Sequence, residues 1–184
     1  CGGLEAWARE DVVKVLCFCH PDDDAALRAD QEATVKRLFA AARRNGLEFL
    51  LEIIPSKVGP VDDDTTATLI RQFYAAGVYP DWWKLEPMRT PAAWAKAVAA
   101  IEDHDRHTRG IVVLGLDAPE AELAASFAVA AAFPLVRGFA VGRTIFGTVA
   151  RDWLAGKIGD EAAVEEMAAR FARLSGCLLY TSPS

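Results

Sequence analysis

The chain has 184 residues, 52% hydrophobic and 25% charged, with a formal net charge of −6. That length suits one domain with a substantial core, and the acidic balance, without a basic stripe of interleaved aromatics, argues against a nucleic-acid surface. No apolar run approaches the ~20 residues of a membrane span and no signal-peptide pattern is present. The four cysteines include no C-x-x-C, so a cytoplasmic setting with neither membrane nor nucleic acid as partner is expected.

The opening Cys1-Gly2-Gly3-Leu4-Glu5 reads as part of a longer chain. One pattern then repeats: an apolar, β-rich run, a polar loop, an amphipathic helix. The first run is Val12-Val13-Lys14-Val15-Leu16-Cys17-Phe18, on which Cys17 and Cys19 share a face and read as reduced core residues. His20-Pro21-Asp22-Asp23-Asp24 follows, with Asp23 or Asp24 as N-cap for a helix carrying Val35, Leu38, Phe39 and Ala42 and stopping at Asn45-Gly46. Phe49-Leu50-Leu51-Glu52-Ile53-Ile54 is the second run. The acidic triplet Asp62-Asp63-Asp64 reads as capping for a helix through Leu69, Ile70, Phe73 and Tyr74 that stops near Gly77.

Pro80-Asp81-Trp82-Trp83-Lys84-Leu85-Glu86-Pro87 holds the third run, bracketed by prolines. Thr90-Pro91 reads as an N-cap followed by proline at the first helical position. Gly110-Ile111-Val112-Val113-Leu114-Gly115 is the fourth run, with a helix from Pro119 through Leu123 and Phe127 behind it. Val136-Arg137-Gly138-Phe139-Ala140-Val141 is the fifth. A helix from Ile145 to Leu154 and a last helix from Asp160, with Val164, Met167, Ala168, Phe171 and Leu174 as its apolar stripe, complete the pattern. Periodicity ends at Leu174-Ser175-Gly176, so residues 1–176 are expected to form the domain and 177–184 a non-native tail.

Successive runs begin about 25–37 residues apart, the spacing of βα units in a parallel sheet. Two α/β architectures fit: a doubly wound sheet, or the last five units of a (β/α)8 TIM barrel. No Gly-x-Gly-x-x-Gly follows a strand and Walker A is absent. Lys14, Glu52 and Lys84 interrupt strands, and a barrel interior accommodates charges there, so the truncated barrel is the expectation.

Lys84 carries the sharpest chemistry. Strand alternation places Trp82, Lys84 and Glu86 on one face, and an amine among apolar neighbours is favoured in its neutral, nucleophilic form. The alternative is a Lys84–Glu86 pair reaching solvent. Glu52 is either an acid/base beside Lys84 or the partner of Lys14 in a structural ion pair. Val141-Gly142-Arg143-Thr144 leads from a strand into a helix and offers amide groups and a guanidinium to a phosphate; Gly115-Leu116-Asp117 ends the neighbouring strand. Packing glycines and a surface arginine are the plainer account. His20 could hydrogen-bond substrate, and Lys14 could contact it. His104 and His107 lack a matching ligand set, so no metal site is expected.

Lys14 to Phe18 with His20 to Asp23, Leu51-Glu52-Ile53-Ile54-Pro55, Pro80 to Glu86, and Gly138 to Phe146 together resemble one bacterial domain over roughly residues 5–175. It is the aldolase-like domain fused behind the sugar kinase of inositol catabolism, in the bifunctional 5-dehydro-2-deoxygluconokinase / 5-dehydro-2-deoxyphosphogluconate aldolases. That domain is similar to class I tagatose-bisphosphate aldolases, which are (β/α)8 barrels. The resemblance implies Lys84 as the Schiff-base lysine, Glu52 as acid/base, and Gly142 and Arg143, with Gly115, at the phosphate of a keto-sugar acid. It implies no metal or other cofactor, a fused or associated kinase domain, and absence of the first three barrel strands. A non-catalytic sugar-phosphate-binding or regulatory module, and an isomerase using Glu52 as base, remain the alternatives. The sequence leaves open the oligomeric state, a homo-oligomer included.

Overall fold

The computed structural model describes residues 3–116 and 118–179. The opening Cys1-Gly2, Asp117 of the expected phosphate loop, and the end of the expected tail from residue 180 lie outside the described residues. The elements alternate: β1 (Val12–Cys17), α1 (Ala25–Arg44), β2 (Glu48–Ile53), α2 (Thr65–Ala75), β3 (Trp82–Leu85), α3 (Pro91–Glu102), β4 (Gly110–Leu114), α4 (Glu120–Ala130), β5 (Val136–Ala140), α5 (Arg143–Leu154) and α6 (Asp160–Leu179).

The strands are parallel and lie in the order β1-β2-β3-β4-β5. Right-handed crossovers that step steadily in one direction put their helices on one face of the sheet. A doubly wound sheet would reverse direction at a switch point. The expected architecture is met: the fold is a five-unit arc of a (β/α)8 barrel, and its helix-free face is the barrel interior.

The core lies between the outward strand face and the helices. Phe49, Leu51, Trp83, Leu85, Ile111 and Val113 are each 0% exposed. Trp83 is the centrepiece: its ring lies 5.6 Å from Tyr74 and 6.4 Å from Phe73, and its indole N–H donates to the Tyr74 hydroxyl at 3.0 Å. Fully burying an indole requires such a partner for its N–H. Cys17 and Cys19 are buried, unpaired thiols, as expected for reduced core cysteines. The interior face is different. Val12 and Leu16 of the edge strand β1 are 38% and 40% exposed, because an arc leaves open what a closed barrel packs.

Local signals place the helix ends. Asp24 accepts from the Ala26 amide at 2.8 Å to start α1, and Gly46 ends it at φ 68°, a left-handed value that favours glycine. Thr90 caps α3 through the Ala93 amide at 3.1 Å. One expectation needs correction at α6. Of the expected stripe Leu174 is buried at 1% and Met167 half-buried, but Val164 and Phe171 are 64% and 55% exposed, while Ala163 faces inward at 3%. The helix packs through Ala163 and Leu174, and beside them Arg170 donates to the Thr148 hydroxyl at 2.7 Å and Arg173 pairs with Glu120 at 2.6 Å. The helix runs on through Gly176 to Leu179. One helical glycine costs about 1 kcal/mol, too little to stop a helix whose Cys177 packs on the core.

Candidate active site

The site grows from strand register. Glu52 on β2 lies opposite Lys84 on β3, and paired residues of neighbouring parallel strands project to the same face. Lys14 is two residues before Leu16, the β1 partner of Glu52, so its longer side chain reaches along the same face. The result is a trio. One Glu52 oxygen lies 3.0 Å from Lys84 Nζ and the other 2.7 Å from Lys14 Nζ. The Glu52 and Lys84 side chains are 7% and 14% exposed, Lys14 48%. A buried carboxylate is costly unless paired, and here both lysines pair it. The two readings left open for Glu52, acid/base beside Lys84 and ion-pair partner of Lys14, describe one arrangement.

The expected alternative for Lys84 does not occur among the described contacts. Glu86, buried at the end of β3, instead accepts from the Ser56 amide at 3.0 Å and from the Ser56 hydroxyl. Asp81, before β3, accepts from the Phe49 amide at 2.7 Å and from Arg43 at 2.8 Å. It sits at the strand N-termini, the end of a barrel that serves stability.

An open cavity of about 370 Å³ covers the trio at the C-terminal ends of the strands, and Gly115, Gly142 and Arg143 line it too. Barrel enzymes work at this end. Gly142 is the residue before α5, whose first-turn amide groups precede the intrahelical hydrogen bonds and carry the positive end of the helix dipole. Both glycines also have packing reasons: an added Cβ would meet Val141 at 3.0 Å from Gly115 and the Phe146 ring at 2.9 Å from Gly142. Leu116, beside them, has φ 47°, uncommon for leucine and characteristic of constrained sites.

His20 is not brought to this cavity. It is 6% exposed; one ring nitrogen lies 2.9 Å from the Pro60 carbonyl oxygen and the other accepts from the Asp22 amide at 3.2 Å. With both nitrogens held by backbone, His20 ties two loops together. Lys57, which sequence reasoning missed, does line the cavity. A search for cations just beyond strand C-termini would have found it, since it lies two residues after Leu51-Glu52-Ile53-Ile54-Pro55. Among the described residues no cluster of His, Cys, Asp or Glu could hold a metal ion, and no helix is long and apolar enough to cross a membrane.

Fold and cavity define a five-unit arc of a (β/α)8 barrel with a lysine–glutamate–lysine trio toward the C-terminal ends of its strands. The arc is similar to the fructose-bisphosphate aldolase of Plasmodium falciparum, solved as a ternary complex with TRAP and a small-molecule inhibitor, with a TM-score of 0.65 at 15% identity. The match covers 96% of this chain and 59% of the aldolase chain. No curated protein matches the sequence. Residues 1–180 match a family described as uncharacterized protein conserved in bacteria (DUF2090), and the chain belongs to that family.

Proposed function

We propose that this chain carries the Schiff-base machinery of a class I aldolase acting on a phosphorylated keto-sugar acid. The observation that carries the reading is the Glu52 carboxylate bridging Lys84 and Lys14 inside a cavity that also holds Gly142 and Arg143. Glu52 lies within hydrogen-bond reach of both amines, 3.0 Å from Lys84 Nζ and 2.7 Å from Lys14 Nζ, a distance at which it can take a proton from an amine or a substrate hydroxyl and return it.

In this reading the neutral Lys84 amine adds to the ketone, and the carbinolamine loses water with Glu52 as general acid, leaving a protonated imine. Glu52 then takes the proton of the hydroxyl two carbons from the imine carbon. The bond from that carbinol carbon to the carbon next to the imine breaks, its electron pair enters the imine to form an enamine, and the carbinol carbon leaves as an aldehyde. Protonation of the enamine and hydrolysis free the ketone product and restore Lys84. Lys14 keeps Glu52 oriented and offers its ammonium to the substrate oxygen. Gly142, Arg143 and Gly115 hold the phosphate at the start of α5.

The resemblance to the inositol-catabolism domain supports 6-phospho-5-dehydro-2-deoxy-D-gluconate as substrate, with dihydroxyacetone phosphate and malonate semialdehyde as products. It supports a sugar kinase as fused or associated partner.

The test is borohydride reduction of the full chain in the presence of dihydroxyacetone phosphate, with peptide mass mapping and circular dichroism to establish folding. A reduced adduct on Lys84, absent from Lys84→Met, is expected. A folded chain without adduct refutes the reading and favours a binding module; an adduct on Lys14 reassigns the nucleophile.

A further inference from the structure

Four cationic side chains, Lys14, Lys57, Lys84 and Arg143, line the cavity, against one carboxylate among the described residues, Glu52. This is a local excess of positive charge in a chain whose net charge is −6. Lys14 and Lys84 are both bonded to Glu52. Lys57 has no carboxylate in ion-pair range among the described residues.

Its position is built rather than incidental. Lys57 closes the single turn Pro55–Lys57 behind β2. Buried Pro55 limits the backbone on one side, and Ser56 is clamped through its amide and its hydroxyl to the carboxylate of Glu86, itself 8% exposed. A buried carboxylate at the end of β3 thus holds the turn that carries Lys57 at the cavity rim.

Lys57 and Arg143 leave the sheet on β2 and β5, three strand spacings apart, or about 14 Å along the sheet at about 4.8 Å per strand. A phosphate held at the start of α5 lies on the β5 side of the cavity, away from the turn that carries Lys57. A ligand with an anionic group at each end reaches both sides, and its middle would then lie between β3 and β4, beside Lys84. We propose that Lys57 is a specificity-determining residue that recognises a second anionic group, carboxylate or phosphate, at the end of the substrate opposite the phosphate at Arg143. The inference rests on the aldolase reading for the orientation of the substrate, but its binding consequence can be read separately.

The experiment titrates the full chain, unaltered and as Lys57→Met and Lys57→Arg, by calorimetry with three ligands. These are a phosphorylated keto-sugar acid, a ketose bisphosphate, and the matching ketose monophosphate ending in an alcohol. Loss of one charge-assisted contact is expected to weaken the preferred doubly anionic ligand about 10- to 100-fold in Lys57→Met. The monophosphate should change less than about twofold, and Lys57→Arg should recover most of the loss. The ligand that weakens more identifies the second group as carboxylate or phosphate. Equal, small changes for all three ligands overturn the proposal, and so does equal weakening of all three. Borohydride trapping with dihydroxyacetone phosphate on the same variants separates the two readings. An adduct on Lys84 in Lys57→Met as in the unaltered chain is expected, whereas its absence from both refutes the aldolase reading while the titration still decides Lys57.

Discussion

Glu52→Gln removes the charge on which the site is organised while keeping its shape. It leaves two ammoniums facing a neutral amide. The contact to Lys84 joins side chains 7% and 14% exposed, so its loss should approach the full worth of a charge-assisted hydrogen bond, about 1.5–3 kcal/mol. The contact to Lys14 is discounted, because that lysine is 48% exposed and solvent-facing pairs contribute about 0–1 kcal/mol. Together the substitution should cost about 2–4 kcal/mol, a large share of the 5–15 kcal/mol typical of a domain. At about 2–4 °C per kcal/mol for a chain of this size, Tm should fall by roughly 4–16 °C. Urea unfolding should show a lower midpoint with an unchanged slope, and Lys14→Met should lose at most about 1 kcal/mol, chiefly at low salt. A Glu52→Gln loss below about 0.5 kcal/mol, or a Lys14→Met loss equal to it, would refute the argument that burial makes the Glu52–Lys84 contact the dominant one.

Trp83→Ala should cost about 3–5 kcal/mol in urea unfolding, since it empties a fully buried site and leaves the Tyr74 hydroxyl without its indole donor; a loss under about 1 kcal/mol would mean the surrounding rings collapse into the gap. His20→Ala should lower stability by about 1–3 kcal/mol through the freed Pro60 and Asp22 backbone groups, yet leave the borohydride adduct yield unchanged; a well-folded variant with less adduct would place His20 in the site. Burial pushes the Tyr74 phenol above its ordinary value of 10.0. The folded state therefore keeps a proton that the unfolded chain releases, so this contribution is intact below about pH 10 and falls as pH rises beyond it. Urea midpoints taken from about pH 9 to 11 should decline less steeply in Tyr74→Phe, and identical slopes would rule the phenol out.

Much of this molecule is legible in the residues because local rules act on short stretches. Alternation along Trp82 to Glu86 aims Lys84 inward, Thr90-Pro91 starts a helix and Gly46 ends one, each through an interaction within a few residues. Repetition of such units implied a parallel α/β chain, but choosing barrel over doubly wound sheet needed the strand order, which depends on which side each crossover falls. Only the tertiary structure decided the partners at the site. Register set Glu52 beside Lys84, side-chain reach added Lys14, and Glu86 turned from Lys84 to Ser56. His20 was drawn into backbone hydrogen bonds because a buried imidazole must satisfy both nitrogens. At α6, hydrophobic spacing pointed to a stripe from Val164 to Leu174, of which Leu174 is buried while Val164 and Phe171 stay exposed, beside the contacts of Arg173 to α4 and Arg170 to α5. Apart from the neighbouring Asp22 amide at His20, these outcomes depend on residues from 22 to 53 positions apart, a separation over which a pattern in one dimension carries no geometry.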